Sequence, residues 1–238
     1  MGVQPMKDQM DIIDDLVEGI HSSKYAEDDR LPSENELAEY YHVPRLCIRN
    51  VYHRLQQLGY CYSIQGKGYF VRSRQIQIPL VLGGHESFSQ KMNNLGLNYY
   101  SKNIGCTEVS PSEKLNIKLK LKNESRIYEI KRLRYVNQEP IAIHISYVAE
   151  STFPDIALEG HRISSMFDYF ASKHYTQYPS SQSVLSINFP TKDEREWLCC
   201  SNYIPMLTLE SSCTDFDSGE TLEVTTIIYR SDRFTYLI

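Results

Sequence analysis

Six cations, Arg45, Arg49, Arg54, Lys67, Arg72 and Arg74, fall within residues 43–75 without a single acid among them, whereas residues 1–42 hold three cations against eleven acids. Local charge of this kind is what phosphate contacts require. Wound as a helix at 100° per residue, the stretch 45–58 puts Arg45, Leu46, Arg49, Asn50, His53, Gln56 and Gln57 on one side. Cys47, Ile48, Val51, Tyr52, Leu55 and Leu58 fall on the other. Arg can bridge guanine O6 and N7 and Asn can bridge adenine N6 and N7, each for about 1–3 kcal/mol of discrimination. Alone, such a face would read first as a solvated helix face that happens to be basic.

A second pattern concerns anions of another kind. Arg132 and Arg134 lie two apart on a strand predicted over 130–136, so they share a face while Leu133 points away. Adjacent guanidiniums repel unless an anion or carboxylate sits between them, which suggests an acidic ligand group. An exposed sheet face, or salt bridges to Glu223 and Asp168, would explain the pair as well. Alternation places Glu223 and Tyr229 on one face of a strand over 222–229.

The elements around the basic helix give it context. Met10, Ile13, Leu16, Val17 and Ile20 predict a first helix over 6–21, whose acidic face belongs away from DNA. Residues 22–30 read as a loop. Ser33 and Glu36 form a capping box behind Pro32, starting a short helix with Leu37, Ala38 and Tyr41 inward, which ends near His42 because Pro44 follows. Gly59 supplies a left-handed end to the basic helix. Strands at 60–64 and 69–72 flank Gln65-Gly66-Lys67-Gly68, where glycine permits close approach to a sugar-phosphate wall and Lys67 adds charge. Helix, turn, helix and hairpin in this order make a winged helix-turn-helix.

The chain has 238 residues and a formal charge of −5, and its character changes near residue 75. This predicts two domains: DNA-binding over 1–72, a linker over 73–82, and an α+β domain over 83–238. No apolar run approaches the roughly 18 residues a membrane helix needs, and the N-terminus is acidic, so a cytoplasmic protein with no membrane partner is expected. The six cysteines include no C-x-x-C pair, and no histidine stands at zinc-finger spacing. No metal, cofactor loop or nucleophile motif is found, and no enzymatic role is expected. In the second half, 83–89 reads as a loop, 89–95, 111–119 and 192–198 as helices, and 155–171 as partly helical. Strands are predicted over 98–109, 126–136, 141–148, 184–189, 206–215 and 222–229, with a hairpin at 137–140.

The stretches Leu31-Pro32-Ser33-Glu34, Val43 to Arg49, Leu55 to Gly59 and Gln65 to Val71 resemble the N-terminal domain of GntR-family bacterial transcription regulators. The resemblance implies a DNA-contacting set of Ser33, Asn35, Arg45, Leu46, Arg49, Asn50, His53, Gly66 and Lys67, with Arg45 and Arg49 in the major groove and Gly66 reaching the minor groove. Asn35, Pro44, Leu46 and Cys47 depart from the family pattern. The remainder resembles the UTRA domain of the HutC branch, through Arg132-Leu133-Arg134, Glu139-Pro140-Ile141, Tyr147-Val148, Phe153-Pro154, Ser165-Met166-Phe167 and Tyr229 to Phe234. That likeness implies a chorismate-lyase-like antiparallel sheet and a homodimer. It also implies an effector site holding a sugar phosphate or other small anion, lined by Ser87, Ser89, Arg132, Arg134, His144, Ser165, Glu223 and Tyr229. His144 stands where sugar-phosphate-binding members often carry glutamate. The function implied is a ligand-responsive repressor on double-stranded operator DNA; the rival is a second domain with residual lyase-like activity.

Overall fold

The computed structural model describes residues 8–72, 76–79, 87–121, 125–179, 182–201 and 203–237. It divides into two compact units, residues 1–75 with 201–204 and residues 76–200 with 205–238.

The first unit opens with α1 (Gln9–His21), started by a reciprocal capping box between Asp8 and Asp11. Residues 6 and 7 of the predicted helix lie outside the described residues. A second box, Ser33 with Glu36, starts α2 (Glu34–Tyr41), and His42 closes it at φ 56°. Losing such a cap, as in Ser33→Ala, costs about 1 kcal/mol. Pro44 then precedes α3 (Arg45–Gln57), where it occupies the N-cap without a side-chain hydrogen bond. Strands β1 (Cys61–Ile64) and β2 (Gly68–Val71) pair antiparallel around a tip where Gly66 has φ 76°, and Arg30 bridges to Phe70 on β2. Ile12, Leu16, Leu31, Ile48, Val51, Tyr52, Leu55 and Cys61 form the common core. The Tyr52 and Tyr69 rings stack 3.9 Å apart within it, which joins α3 to β2.

The second unit is built on a six-stranded antiparallel sheet. Its strands are β4 (Tyr99–Val109), β5 (Ile127–Val136), β6 (Glu139–Ala149), β7 (Val184–Asn188), β8 (Met206–Thr214) and β9 (Thr221–Arg230), in the order β4-β5-β6-β9-β8-β7. The β5–β6 hairpin turns on Asn137 and Gln138, both at positive φ. Around the sheet lie α4 (Phe88–Asn94), α5 (Glu113–Lys118), α6 (Ile156–Glu159), a short 3-10 turn at Gly160–Arg162, α7 (Met166–Ser172) and α8 (Lys192–Leu198). Phe153, Met166, Tyr169 and Phe170 pack on Tyr128, Ile130 and Val148 of the sheet. Phe88 and Met92 from α4 pack with Val136, Ala142 and Tyr229.

One element departs from the expected linker. Residues 76–79 form β3 (Ile76–Pro79), paired in parallel with β10 (Phe234–Leu237). Residues 73–75 and 80–82 lie outside the described residues, as do 83–86 of the predicted loop. That loop ends sooner than expected because Ser87 and Gln90 make a capping box that starts α4 at Phe88.

Candidate functional site

On the first unit, α3 turns Ile48, Val51, Tyr52 and Leu55 into the core, and the helical repeat then forces Arg45, Leu46, Arg49, Asn50 and His53 outward, where all five are exposed. Gly66 and Lys67 stand exposed at the hairpin tip, and Asn35 is exposed on α2. Ser33 is half-buried, and its oxygen accepts the backbone N–H of Glu36, so its first duty is to the helix start. The expected DNA-facing residues therefore gather on α3, the start of α2 and the hairpin tip.

Between them lies the carboxylate of Glu34, which in the sequence is only the last residue of Leu31-Pro32-Ser33-Glu34. Glu34 Oε2 accepts from Arg45 Nε at 2.8 Å and from Arg49 Nη2 at 3.4 Å, and Oε1 accepts from the Tyr69 hydroxyl at 3.0 Å. Burial opposes its charge, but these three donors outweigh burial and hold its pKa below the usual carboxylate value. Glu34 and Arg45 are eleven positions apart, and only the packing of α2 against α3 brings them together.

On the second unit, the antiparallel register carries the predicted residues onto one sheet face. Arg132 stands opposite His144, Ala142 opposite Tyr229, and Ser146 opposite Thr225 two residues from Glu223. The arginines are buried, at 2% and 4% exposure, which removes the exposed-face alternative. The alternative of salt bridges also fails: among the described residues neither guanidinium closes an ion pair with a carboxylate. Arg132 Nη2 donates to the Ser146 hydroxyl, and that hydroxyl also bonds Glu223. Arg134 Nη1 donates to the Ser101 hydroxyl and, at 2.8 Å, to the Ser164 carbonyl, while Nη2 meets His144 Nδ1 at 3.4 Å.

The electrostatics follow from burial. Desolvation pushes Arg132 down to about 10, and desolvation with the charge of Arg132 pushes Arg134 down to about 9, so both remain cations at neutral pH. Desolvation and the same two cations hold His144 neutral, well below its ordinary range. Desolvation raises Glu223, against the pull of Arg132. A guanidinium only donates, so His144 Nδ1 accepts and the neutral ring carries its hydrogen on Nε2. Arg132 Nε, Arg134 Nε, His144 Nε2 and Glu223 Oε2 are all buried without a hydrogen-bond partner. The face thus offers three N–H donors and one carboxylate acceptor.

The remaining expected residues lie at its margin. Ser87 and Ser165 are the N-caps of α4 and α7, their oxygens accepting from Gln90 and Asp168 backbone N–H groups. Each adjoins a residue touching Arg134: the Phe88 ring centroid is 5.2 Å from Arg134 Cζ, and Ser164 accepts its hydrogen bond. Ser89 is half-buried in the first turn of α4. The Phe88 and Tyr229 rings stand edge-on to His144 at 5.6 and 6.1 Å. Ser101, Ser146 and Phe88 were not anticipated. Alternation from His144 could have found Ser146, but the pairing of β4 with β5 that brings in Ser101 leaves no sequence signal. Among the described residues no group of three or more His, Cys, Asp and Glu side chains is placed to hold a metal ion, and no helix is long and apolar enough to cross a membrane.

The model of the family described as bacterial regulatory proteins, gntR family, matches residues 9–71, and that of the UTRA domain matches residues 94–235. Over 234 residues the chain is 28% identical to a probable fructoselysine utilization operon transcriptional repressor of Shigella flexneri, covering 95% of this chain and 90% of that one. Over 228 residues it is 28% identical to the HTH-type transcriptional repressor NagR of Bacillus subtilis (strain 168), covering 95% and 91%. The crystal structure of PhnF from Mycobacterium smegmatis shares the fold at a TM-score of 0.62 and 18% identity, covering 98% and 99% of the two chains.

Proposed function

The chain belongs to the UTRA-bearing regulators of the bacterial gntR family, and from that footing we propose that it is a homodimeric repressor released from, or tightened on, operator DNA by a small anionic effector. The observation that carries the effector half of this reading is the pair of buried guanidiniums, Arg132 and Arg134, bonded to hydroxyls, a carbonyl and an imidazole and, among the described residues, in no direct ion pair. Burying two cations with one carboxylate near them and no direct ion pair is costly, and a bound phosphate or carboxylate relieves that cost. His144 Nε2–H adds a third donor for a ligand oxygen, while Glu223 suits a hydroxyl or amine on the same molecule. A sugar phosphate has both ends. A relative named for fructoselysine utilization supports a sugar-derived effector.

The DNA half rests on α3 and the wing. Each protomer reads one half of a near-palindromic operator, with the two-fold of the dimer matching that of the site. Control is linkage: an effector that prefers the arrangement with weaker DNA affinity lowers operator affinity by the ratio of its two affinities, and DNA weakens effector binding equally.

The test is fluorescence anisotropy of the protein on labelled DNA from upstream of its own gene, with a panel of sugar phosphates and their unphosphorylated sugars. A shift in operator affinity by a phosphorylated compound but not by its parent sugar is the expected result. Operator binding that no anionic compound shifts would remove the effector assignment and leave the DNA reading standing.

A further inference from the structure

We infer that Glu34 is the residue that gives Arg45 and Arg49 their base specificity, by holding both guanidiniums and the wing strand on one carboxylate. This rests on the DNA-reading role proposed for α3 and goes further by naming what positions it. Three elements converge on the carboxylate: α3 through Arg45 and Arg49, β2 through Tyr69, and α2, which carries Glu34 as its first residue. The Glu34 side chain is 13% exposed while those of the arginines are 59% and 56% exposed, so the acid sits against the protein and the arginines reach out from it toward solvent.

An acid at a DNA-facing surface opposes binding through charge alone, because it repels phosphate. Its presence calls for an offsetting role, and geometry supplies one. Arg45 engages Glu34 through Nε, which leaves its terminal Nη1 and Nη2 fork for the O6 and N7 of a guanine. A long, flexible side chain that is already oriented loses less freedom on binding than one that must be ordered by the base itself. Tyr69 extends the arrangement to the wing, since Gly66 and Lys67 at the hairpin tip immediately precede β2. Removing the carboxylate therefore has two effects of opposite sign, less repulsion of any DNA and poorer aim at the right DNA.

The experiment uses full-length protein and the duplex that the wild type enriches from a random-sequence pool, compared with a scrambled duplex over a range of salt. Glu34→Gln keeps the shape and removes the charge. Its ratio of selected to scrambled affinity should fall about tenfold, the scale of one good bidentate base contact, while affinity for scrambled DNA stays level or rises. Tyr69→Phe keeps the ring stacked on Tyr52 and should lower the ratio by a smaller factor, which also serves if Glu34→Gln fails to fold. Glu34→Asp keeps the charge and should restore part of the ratio. An unchanged ratio in both Glu34→Gln and Tyr69→Phe, or a loss of both affinities in equal proportion, would overturn the inference. If the wild type itself fails to discriminate, the base-reading role of α3 falls first, and the inference falls with it.

Discussion

Arg134 donates to Nδ1 of His144 across 3.4 Å, and this contact decides which hydrogen the imidazole carries. With Nδ1 accepting and the ring held neutral, Nε2–H is left buried and unpartnered, facing the same chemistry as the two arginine Nε–H groups. The pH dependence follows in sign. In the unfolded chain His144 titrates near about 6.5, whereas the fold holds it well below that value. Below about pH 6.5 the unfolded chain takes up a proton that the folded chain refuses, so stability is present above that pH and lost as pH falls. The loss runs at up to about 1.4 kcal/mol per pH unit until the folded group protonates. Urea unfolding between about pH 7 and about pH 5 should show a steeper decline for wild type than for His144→Gln. Parallel curves would mean that His144 takes up its proton as readily in the fold as in the unfolded chain.

Arg132→Ala should abolish the response to effector and leave operator affinity within about twofold. The residue lies on the sheet of the second unit, with its bonds to Ser146 and through it to Glu223. Charge-assisted hydrogen bonds contribute about 1.5–3 kcal/mol each, so effector affinity should drop at least about tenfold. Removing this cation also takes away the charge that pulls on the buried Glu223 carboxylate, so the unliganded protein should lose stability as well as effector affinity. Thermal unfolding with and without sugar phosphate separates the two effects. A mutant that is still stabilised by the ligand would place the anion elsewhere.

On the DNA side, Arg49 and Lys67 should behave differently. Arg49→Ala should weaken operator binding by about 1–3 kcal/mol and relax preference at the base pair it reads. Lys67→Ala, at the exposed wing tip, should weaken all sequences alike and lower the salt slope by about one. Titrations at several salt concentrations on selected and scrambled duplexes distinguish these outcomes. Equal loss on both duplexes for Arg49→Ala would reduce it to a phosphate contact.

Much of this was legible in the sequence because local rules agree with the fold at those points. The capping boxes Ser33 with Glu36 and Thr191 with Glu194 mark the starts of α2 and α8, and α8 spans the predicted 192–198. The 3.6 period of α3 separates the exposed basic face from the core without a tertiary argument. What stayed hidden depends on contacts between distant segments. The pairing of β3 with β10 joins residues more than 150 positions apart, although the Ile-Gln-Ile pattern of 76–78 already alternates. Glu34 enters the sequence pattern only as the last residue of Leu31-Pro32-Ser33-Glu34, because nothing within α2 announces Arg45. Arg132 and Arg134 could be read as a same-face pair, but their burial comes from elements packed over the sheet, and only burial decides between surface and site.

The exposed edge of the sheet bears on assembly. β7 pairs with β8 on one side, and all five of its residues are exposed. Leu185, Ile187 and Phe189, on one face of this strand and its exit, are exposed apolar residues. An open apolar edge strand invites pairing with another chain, and for the homodimer proposed above a second copy related by a two-fold would satisfy both edges at once. Ile187→Lys introduces a charge that this pairing would have to bury, so sedimentation equilibrium should show a dimer dissociation constant raised at least about tenfold with the secondary structure retained. Operator affinity should fall with it, because two half-sites bound by one dimer act at high effective concentration and two free monomers do not. An Ile187→Lys protein that remains dimeric at every concentration and binds the operator as wild type would move the interface away from β7.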